Sequence, residues 1–309
     1  MTEQNIEFYY TEPQSIQSKL LKALLKVSGL KQILKHFSGS KPMIYLSSKP
    51  LPTTAVKKIA HIHQTLINGR NSFTLSPKDK SSDTVILYLH GGAFTVNFTR
   101  PHWSFIKDLL QENHCSVVAP DFPLLPDYDY KPRLDMVYEV YIKLLETTAN
   151  KNIVLMGDSS GGNMALVLAQ LLHENHKPAP AQIILLSPWL DVSMSNPVLK
   201  TELPSDPMLS YQSAIKVGKA HAGPADTKFY QVSPLYGTLK DIGRISIFTG
   251  THDILNPDAR ELKKRAREQL VHLNYFEYHS MIHAWMLFDL PESQLVKKQI
   301  ASLLKVPLA

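Results

Sequence analysis

The sequence predicts an α/β fold with a mostly parallel central sheet that carries helices on both of its faces. Short apolar runs alternate with helical patterns from residue 84 to the end of the chain, and this alternation is typical of parallel sheets with crossover helices. Several runs are apolar at nearly every position, as expected of strands that are covered on both faces. With 309 residues, 44% of them hydrophobic, the chain can form the large core that such a sheet needs.

The N-terminal region is predicted to be helical over residues 15–37, with a break at Gly29. Leucines recur on shared faces and lysines fill the positions between them, so this segment is a basic amphipathic helix. Such a helix can lie on an anionic membrane, or it can cover an apolar cleft of its own protein. We favour the cover, because the rest of the chain needs one.

Residues 56–67 and 72–75 are predicted to form a β-hairpin, since the connection at 68–71 begins with Asn-Gly, a strong hairpin signal. Further strands are predicted at 84–89, 116–121, 153–157, 182–187, 245–250 and 273–278. Helices are predicted at 104–112, 133–147, 163–173, 211–221, 258–269 and 292–304.

The alternation of strands and helices stops between residues 191 and 239, a stretch with five prolines. Because this stretch follows a predicted strand, we interpret it as an insertion at the carboxyl end of the sheet, where ligands bind in open α/β folds. We expect about 1–45 and 191–239 to form a cap over a catalytic core of 46–190 and 240–309. The whole chain, 1–309, is then a single domain.

A Gly-Asp-Ser-Ser-Gly-Gly motif at 157–162 joins a predicted strand to a predicted helix. It matches G-x-S-x-G, in which a strained turn presents the serine hydroxyl at the N-terminus of the helix. The flanking glycines have a physical role, because a Cβ there would collide with the adjoining strand or helix. A turn that merely joins two elements would show the same pattern, so the motif needs partners elsewhere in the chain.

The first partner is an acid at the end of a later strand. Asp253 lies in the loop after the predicted strand at 245–250. Asp258 has a sufficient structural explanation, because Asn256 as N-cap and Pro257 at the first helical position would place it where it complements the helix dipole. Asp253 is therefore the candidate acid.

The second partner is a base, and the third is a set of oxyanion donors. His283 lies in the loop after the last predicted strand and is the candidate base, with His279 as a near competitor. The order serine, acid, histidine is that of α/β-hydrolases. Upstream, a buried strand ends at Gly91 and Gly92, and consecutive glycines there leave backbone N–H groups exposed, as an oxyanion hole requires.

The chain resembles the hormone-sensitive-lipase-like esterases, which have the α/β-hydrolase fold and a His-Gly-Gly-Gly motif. The resemblance covers roughly residues 45 to 305 and is carried by His-Gly-Gly-Ala at 90–93, Gly-Asp-Ser-Ser-Gly-Gly at 157–162, Leu-Ser-Pro-Trp-Leu-Asp at 186–191, Ser-Asp-Pro-Met-Leu at 205–209, Ser-Pro-Leu-Tyr at 233–236, Asp-Ile-Leu at 253–255 and His-Ala-Trp at 283–285. It implies a catalytic triad and a set of oxyanion donors. The implied residues are Ser159, Asp253 and His283 for the triad and Gly91, Gly92 and Ser160 for the donors.

Two departures from the family pattern are visible. Ala93 replaces the third glycine of the motif, which leaves the implied donors Gly91 and Gly92 in place. The segment at 122–127 keeps the family's proline but lacks its arginine, which puts any salt bridge of that arginine in doubt.

The predicted function is a serine carboxylesterase that hydrolyses short-chain, acetyl-like esters through an acyl-enzyme, without a cofactor or a metal. The preference for short chains is expected because a cap narrows the pocket. An O- or N-deacetylase of a sugar or other metabolite would share the whole apparatus. A membrane-associated lipase would use the basic helix as an anchor, and both alternatives stay open.

Composition and charge bound the partners. The formal charge is +6, but the lysines are scattered and no nucleic-acid motif accompanies them, so we expect a small-molecule ester and no nucleic acid. The single Cys115 rules out an internal disulfide, and the N-terminus lacks a signal-peptide pattern. We therefore expect a cytoplasmic protein without stable membrane insertion. A homodimer is compatible with the sequence, which leaves the oligomeric state open.

Overall fold

A sheet of nine strands organises the structure, a computed structural model that describes residues 5–28, 31, 49–201 and 205–305. The strands are β1 (Glu7–Tyr10), β2 (Ala60–Ile67), β3 (Arg70–Pro77), β4 (Val85–Leu89), β5 (Ser116–Pro120), β6 (Ile153–Asp158), β7 (Gln182–Leu186), β8 (Arg244–Gly250) and β9 (Leu273–Tyr278). The helices are α1 (Ile16–Val27), α2 (Thr54–Ile59), α3 (Arg100–Asn113), α4 (Tyr130–Thr147), α5 (Ser160–Glu174), α6 (Val198–Thr201), α7 (Tyr211–Ala222), α8 (Asn256–Glu268) and α9 (Pro291–Lys305). Short 3₁₀ helices lie at Asn150–Asn152, Pro234–Tyr236 and Trp285–Leu287.

The strands are arranged in the order β1-β9-β8-β7-β6-β4-β5-β3-β2. The seven strands β1, β9, β8, β7, β6, β4 and β5 are all parallel to their neighbours in this group. Strand β3 runs antiparallel to both β5 and β2. The predicted α/β fold with a mostly parallel sheet is therefore confirmed. The carboxyl ends of the parallel strands meet at one edge of the sheet, where the loops after β4, β6, β8 and β9 come together.

The core lies on both faces of the sheet. Side chains of one strand alternate between two hydrophobic layers: Leu87 and Leu155 belong to one layer, Ile86 and Val154 to the other. Strands β6, β7 and β9 are buried along their whole length. This double coverage accounts for the continuous apolar runs in the sequence.

The β2–β3 hairpin is confirmed, but its boundaries differ from the prediction. The first residues of the predicted strand at 56–67 belong to α2, and β2 begins at Ala60. The turn consists of two residues, Asn68 and Gly69, with φ angles of 50° and 75°. Positive φ at both positions is what the tight hairpin turn of type I′ requires. Because the turn has two residues instead of the predicted four, β3 starts at Arg70, two residues earlier than predicted.

The sequence pattern predicts no element in the first eleven residues, yet the structure forms β1 there. This strand extends the sheet by pairing in parallel with β9. The Phe8 ring packs against Phe276 and Tyr278, and Tyr10 stacks on Tyr278. A strand of four residues is too short for a periodicity signal, so only its packing against aromatic rings reveals it.

Helix α1 begins where the sequence predicts, with Ser15 as N-cap. Ser15 and Ser18 both donate to the carboxylate of Glu292 at the start of α9, which fixes α1 on the core. The predicted helix at 15–37 can be followed only to Val27, because residues 29–30 and 32–48 lie outside the described part of the chain.

The stretch at 191–239 connects β7 to β8 and contains α6, α7 and the 3₁₀ helix at 234–236. Helix α7 is predicted from the sequence and α6 is not. Nζ of Lys31 donates to the backbone carbonyl of Asp206 at 2.8 Å, so the N-terminal region and this insertion are in contact. That the two segments together form a cap over the site stays a prediction.

Candidate active site

Ser159 occupies the sharp turn between β6 and α5. Its φ of 53° and ψ of −120° lie in a region that residues with a Cβ rarely adopt. The turn is held by the end of β7, because the N–H of Ser159 donates to Leu186 O at 2.9 Å and its carbonyl accepts from the N–H of Trp189 at 3.0 Å. The serine hydroxyl is thereby presented at the N-terminus of α5.

The glycines of the turn are required by the space around them. A Cβ on Gly157 would lie 2.4 Å from the backbone oxygen of Gly161, and a Cβ on Gly161 would lie 1.9 Å from the backbone oxygen of Leu89. Both obstacles are backbone atoms that cannot rotate away. The expected reason for the flanking glycines is thus confirmed.

The structure brings together the side chains of the three residues that are predicted to form the triad. Nε2 of His283 lies 2.9 Å from Oγ of Ser159, and Nδ1 of His283 lies 2.8 Å from Oδ2 of Asp253. All three residues are buried, Asp253 completely. If Nδ1–H donates to Asp253, Nε2 is the acceptor that can take the hydroxyl proton of Ser159.

The charges around His283 favour its protonated form. Burial alone would lower the pKa of His283, but the neighbouring carboxylate of Asp253, with smaller effects of Asp206 and Asp158, raises it above its ordinary value. An imidazolium formed by proton transfer from Ser159 is therefore stabilised at this position.

The loop after β8 orients Asp253, because Oδ1 of Asp253 accepts the N–H of Leu255 at 2.9 Å. The competitor Asp258 is held elsewhere, since its Oδ1 accepts from Nδ2 of Asn196 at 2.8 Å. His279, the competitor of His283, is exposed, and its backbone N–H donates to Tyr10 O.

The structural explanation predicted for Asp258 needs correction. Helix α8 begins at Asn256 and its N-cap is Leu255, so Asn256 is not the cap. Asp258 lies in the first turn as expected, but it is 1% exposed, and burial raises its pKa to about 7. The favourable effect of the helix dipole is thus outweighed by desolvation at this buried site.

A second buried carboxylate, that of Asp206, lies beside the loop that holds Asp253. Its Oδ1 accepts two backbone N–H groups of its own turn, and its Oδ2 accepts the N–H of Ile254 at 3.3 Å. Burial and the charge of Asp253 raise the pKa of Asp206 to about 6. The Ser-Asp-Pro-Met-Leu motif marks this position in the sequence, but only the structure shows that it joins the insertion to the loop of Asp253.

The backbone N–H of Gly91, one of the predicted oxyanion donors, has an acceptor within the protein. The N–H of Gly91 donates to Oδ1 of Asp158 at 3.0 Å, so it is already used within the protein. Asp158 also accepts from the hydroxyl of Tyr88 at 2.7 Å and lies 3.3 Å from Nε2 of His102. Burial would raise the pKa of Asp158, but these partners lower it below its ordinary value.

Three other N–H groups remain near Ser159. Those of Gly92, Ala93 and Ser160 have no acceptor among the described residues. The loop is shaped by positive φ angles of 115° at Gly92 and 52° at Ala93, and the N–H of Phe94 donates to Oγ of Ser160 at 3.3 Å. Ala93 therefore adopts the left-handed backbone conformation without being a glycine, and its N–H is a donor that the sequence analysis did not name.

A buried arginine lies beneath this loop. The guanidinium carbon of Arg133 is 4.9 Å from the ring centre of Phe94, Nη1 lies 2.6 Å from Nδ1 of His221, and Nε donates to Pro123 O at 2.9 Å. Burial lowers the pKa of Arg133 to about 9, which leaves it charged at neutral pH. Arg133 thus contacts the segment at 122–127, which lacks the family's arginine. The position of Arg133 in a predicted amphipathic helix does not indicate this contact.

Comparison with known proteins agrees with this geometry. A family model for the α/β-hydrolase fold matches residues 86–287. An esterase of Acinetobacter venetianus is 26% identical over 303 residues, which is 96% of this chain and 95% of the relative. An acetyl-hydrolase of Streptomyces hygroscopicus is 24% identical over 212 residues, 68% of this chain and 71% of the relative. The crystal structure of an esterase from the bacterial hormone-sensitive lipase family is 22% identical, with a TM-score of 0.81, and the match covers 96% of this chain and 100% of that one.

The range matched by the family model contains the turn of Ser159, the loops of Asp253 and His283 and most of the sheet. The resemblance to the hormone-sensitive-lipase-like esterases that the motifs indicate is confirmed by these relatives. The chain belongs to the α/β-hydrolase family.

Proposed function

We propose that this protein is a serine carboxylesterase in which Ser159 is the nucleophile, His283 the general base and Asp253 the acid that orients the histidine. The observation that carries the proposal is the hydrogen-bonded chain from Oγ of Ser159 through His283 to Asp253, with distances of 2.9 and 2.8 Å. The relatives named as an esterase and an acetyl-hydrolase support an ester as the substrate.

The reaction follows from the positions of the protons. Nε2 of His283 takes the hydroxyl proton as Oγ of Ser159 attacks the ester carbonyl carbon. The same proton then goes to the leaving alcohol as the bond to it breaks, which leaves an acyl group on Ser159. Water, deprotonated by His283, releases the acid and restores the serine. Asp253 keeps the imidazole in the tautomer that both steps need.

The negative charge that develops on the carbonyl oxygen needs donors. We assign this role to the N–H groups of Gly92, Ala93 and Ser160, in place of the set that includes Gly91. Ser160 is the first residue of α5, where the helix dipole also favours negative charge. Loss of one such donor typically costs about 3 kcal/mol of transition-state stabilisation.

The proposed substrates are esters of short acyl chains. The acetyl-hydrolase relative supports an acetyl-sized acyl group, and a cap formed by the N-terminal region and the insertion at 191–239 would limit the length of the chain. The hydrogen bond from Lys31 to the backbone of Asp206 brings these two segments into contact. The name of that relative also favours a second candidate, removal of an acetyl group from an acetylated metabolite by the same chemistry.

The test is a series of p-nitrophenyl esters from acetate to long-chain acyl groups, measured with the wild type and with Ser159→Ala. We expect kcat/KM to be highest for acetate or butyrate, and Ser159→Ala to lower it by about 10⁴-fold or more. Absence of hydrolysis of every ester by the wild type would reject the esterase proposal. A maximum at long chains would reject only the preference for short acyl groups.

A further inference from the structure

Helix α1 has apolar side chains on two opposite faces. The inner face, with Leu21 and Leu25, packs against the core layer that also contains the end of α9. The outer face carries four large apolar side chains at the spacing of one helical stripe. Their exposed fractions are 73% for Ile16, 64% for Leu20, 62% for Leu24 and 81% for Val27. An apolar stripe of this exposure on a helix indicates a surface that binds a protein or a membrane.

Positive charge lies beside the stripe. Lys19 and Lys26 are both exposed and project along one border of it, as their positions in the helical repeat dictate. The helix and the residues just after it have the same character: residues 13–31 contain four lysines and no Asp or Glu. The charged side chains of this segment are therefore all positive.

The inner side of α1 is connected to the candidate active site. Nζ of Lys22 contacts Nδ1 of His252, the residue that precedes Asp253. Further along the chain, Lys31 binds the backbone of Asp206, whose carboxylate accepts the N–H of Ile254. The exposed stripe thus lies on a helix that is attached to the loop of the proposed catalytic acid.

We infer that the outer face of α1 docks the protein reversibly on the surface of an anionic lipid layer. The four apolar side chains would enter the boundary between headgroups and acyl chains, and Lys19 and Lys26 would bind anionic headgroups, the usual mode of an interfacial amphipathic helix. Docking is peripheral, since none of the described helices has the length and hydropathy to cross a membrane. A second copy of this chain is a poorer occupant, because two such faces would bring their lysines together.

The experiment measures binding of the Ser159→Ala protein to vesicles by sedimentation, so its result does not depend on whether the proposed hydrolysis is correct. Vesicles of phosphatidylcholine alone are compared with vesicles that also contain phosphatidylglycerol. We expect binding to the anionic vesicles and a decrease of about tenfold or more when Leu20→Gln and Leu24→Gln are combined. Lys19→Gln with Lys26→Gln should weaken binding and reduce its dependence on salt.

Two control variants change exposed residues outside α1, one in the edge strand β2 and one in the loop before β8. Leu66→Gln changes an exposed leucine of β2 and Lys240→Gln changes an exposed lysine, and neither should alter binding. Circular dichroism melting of each variant confirms that it folds. With Ser159 retained, the Leu20→Gln, Leu24→Gln protein should hydrolyse a water-soluble ester at the wild-type rate.

Three results would overturn the inference. The first is absence of binding to vesicles of either composition, and the second is an equal loss of binding in the Leu66→Gln control. The third is a dimer in light scattering that disappears when Leu20→Gln and Leu24→Gln are combined, because the stripe would then be an interface between two copies.

Discussion

The carboxylate of Asp158 accepts the backbone N–H of Gly91 at 3.0 Å, and this bond anchors the glycine loop beside Ser159. Tyr88 donates to the same oxygen atom of Asp158, and His102 lies against the other one. The residue before the proposed nucleophile therefore fixes the loop that supplies the proposed oxyanion donors. Gly91 is part of this anchor, and the proposed donors follow it in the chain.

We predict that Asp158→Asn lowers kcat by about 10- to 100-fold with a smaller change in KM, because displaced donors stabilise the transition state less. The N–H of Thr99 donates to Nδ1 of His102, so Nε2 of His102 carries a proton. The amide nitrogen of the introduced asparagine would therefore face another donor. Steady-state kinetics on p-nitrophenyl acetate provide the measurement. Tyr88→Phe is the control, because it removes one donor to Asp158 but keeps the bond to Gly91, and it should lower kcat less. An unchanged kcat in Asp158→Asn would show that Asp158 does not hold the glycine loop in place.

We predict that Asp206→Asn moves the acid limb of the pH profile of kcat/KM to lower pH. His283 must be neutral to act as a base, so activity falls as the pH drops through the pKa of His283, which the nearby carboxylates raise above its ordinary value. Removing the charge of Asp206 removes one of these contributions and lowers that pKa. The same profile measured for Asp241→Asn, an exposed aspartate at the opposite end of the sheet, is the control. A limb that stays in place or moves to higher pH speaks against a charge effect of Asp206.

We predict that Asp258→Asn changes how stability depends on pH. Burial raises the pKa of Asp258 to about 7 from 3.8, so between these values the folded protein binds a proton that the unfolded chain does not. The contribution of this group to the free energy of unfolding is therefore present below pH 3.8 and is lost as the pH rises towards 7. Asparagine stays neutral, so at pH 8 the variant should be more stable than the wild type, by on the order of 4 kcal/mol. Urea unfolding at pH 5 and pH 8 measures this, and equal pH dependence of the two proteins would contradict it.

We predict that Gly161→Ala is severely destabilising and inactive, because its Cβ would lie 1.9 Å from the backbone oxygen of Leu89. A loss of about 3 kcal/mol or more is expected, since the strand and the helix would have to separate. Gly69→Ala is the control, as no atom lies within 4 Å of its Cβ and only the φ of 75° is unfavourable; it should cost about 1 kcal/mol. Thermal unfolding compares the two, and similar melting temperatures would show that the turn tolerates a side chain.

The sheet and the order of the proposed triad can be predicted from the sequence because both are local signals. Continuous apolar runs identify the buried strands, and Ser159, Asp253 and His283 each follow a strand, so the sheet itself brings them to one edge. The glycines at 157 and 161 are equally predictable, since a tight strand-to-helix turn leaves no room for a Cβ. These features depend on neighbours in the chain or on topology alone.

The remaining features depend on contacts between distant residues. The N–H of Gly91 is occupied because Asp158, 67 residues away, accepts it, and no pattern around Gly91 indicates this partner. The contact of Asp206 with the loop of Asp253 and the burial of Arg133 under Phe94 likewise appear only in the folded chain. Strand β1 is visible only through its aromatic contacts with β9.

The most direct measurement of the central claim is covalent labelling with a fluorophosphonate, followed by peptide mass spectrometry. In this reaction the oxygen of an activated serine attacks phosphorus and fluoride leaves. We predict a single phosphonyl group on Ser159 of the wild type, much slower labelling of His283→Ala, and none of Ser159→Ala. Labelling of a different residue, or an unlabelled Ser159 in a protein that hydrolyses esters, would contradict the assignment of Ser159 as the nucleophile.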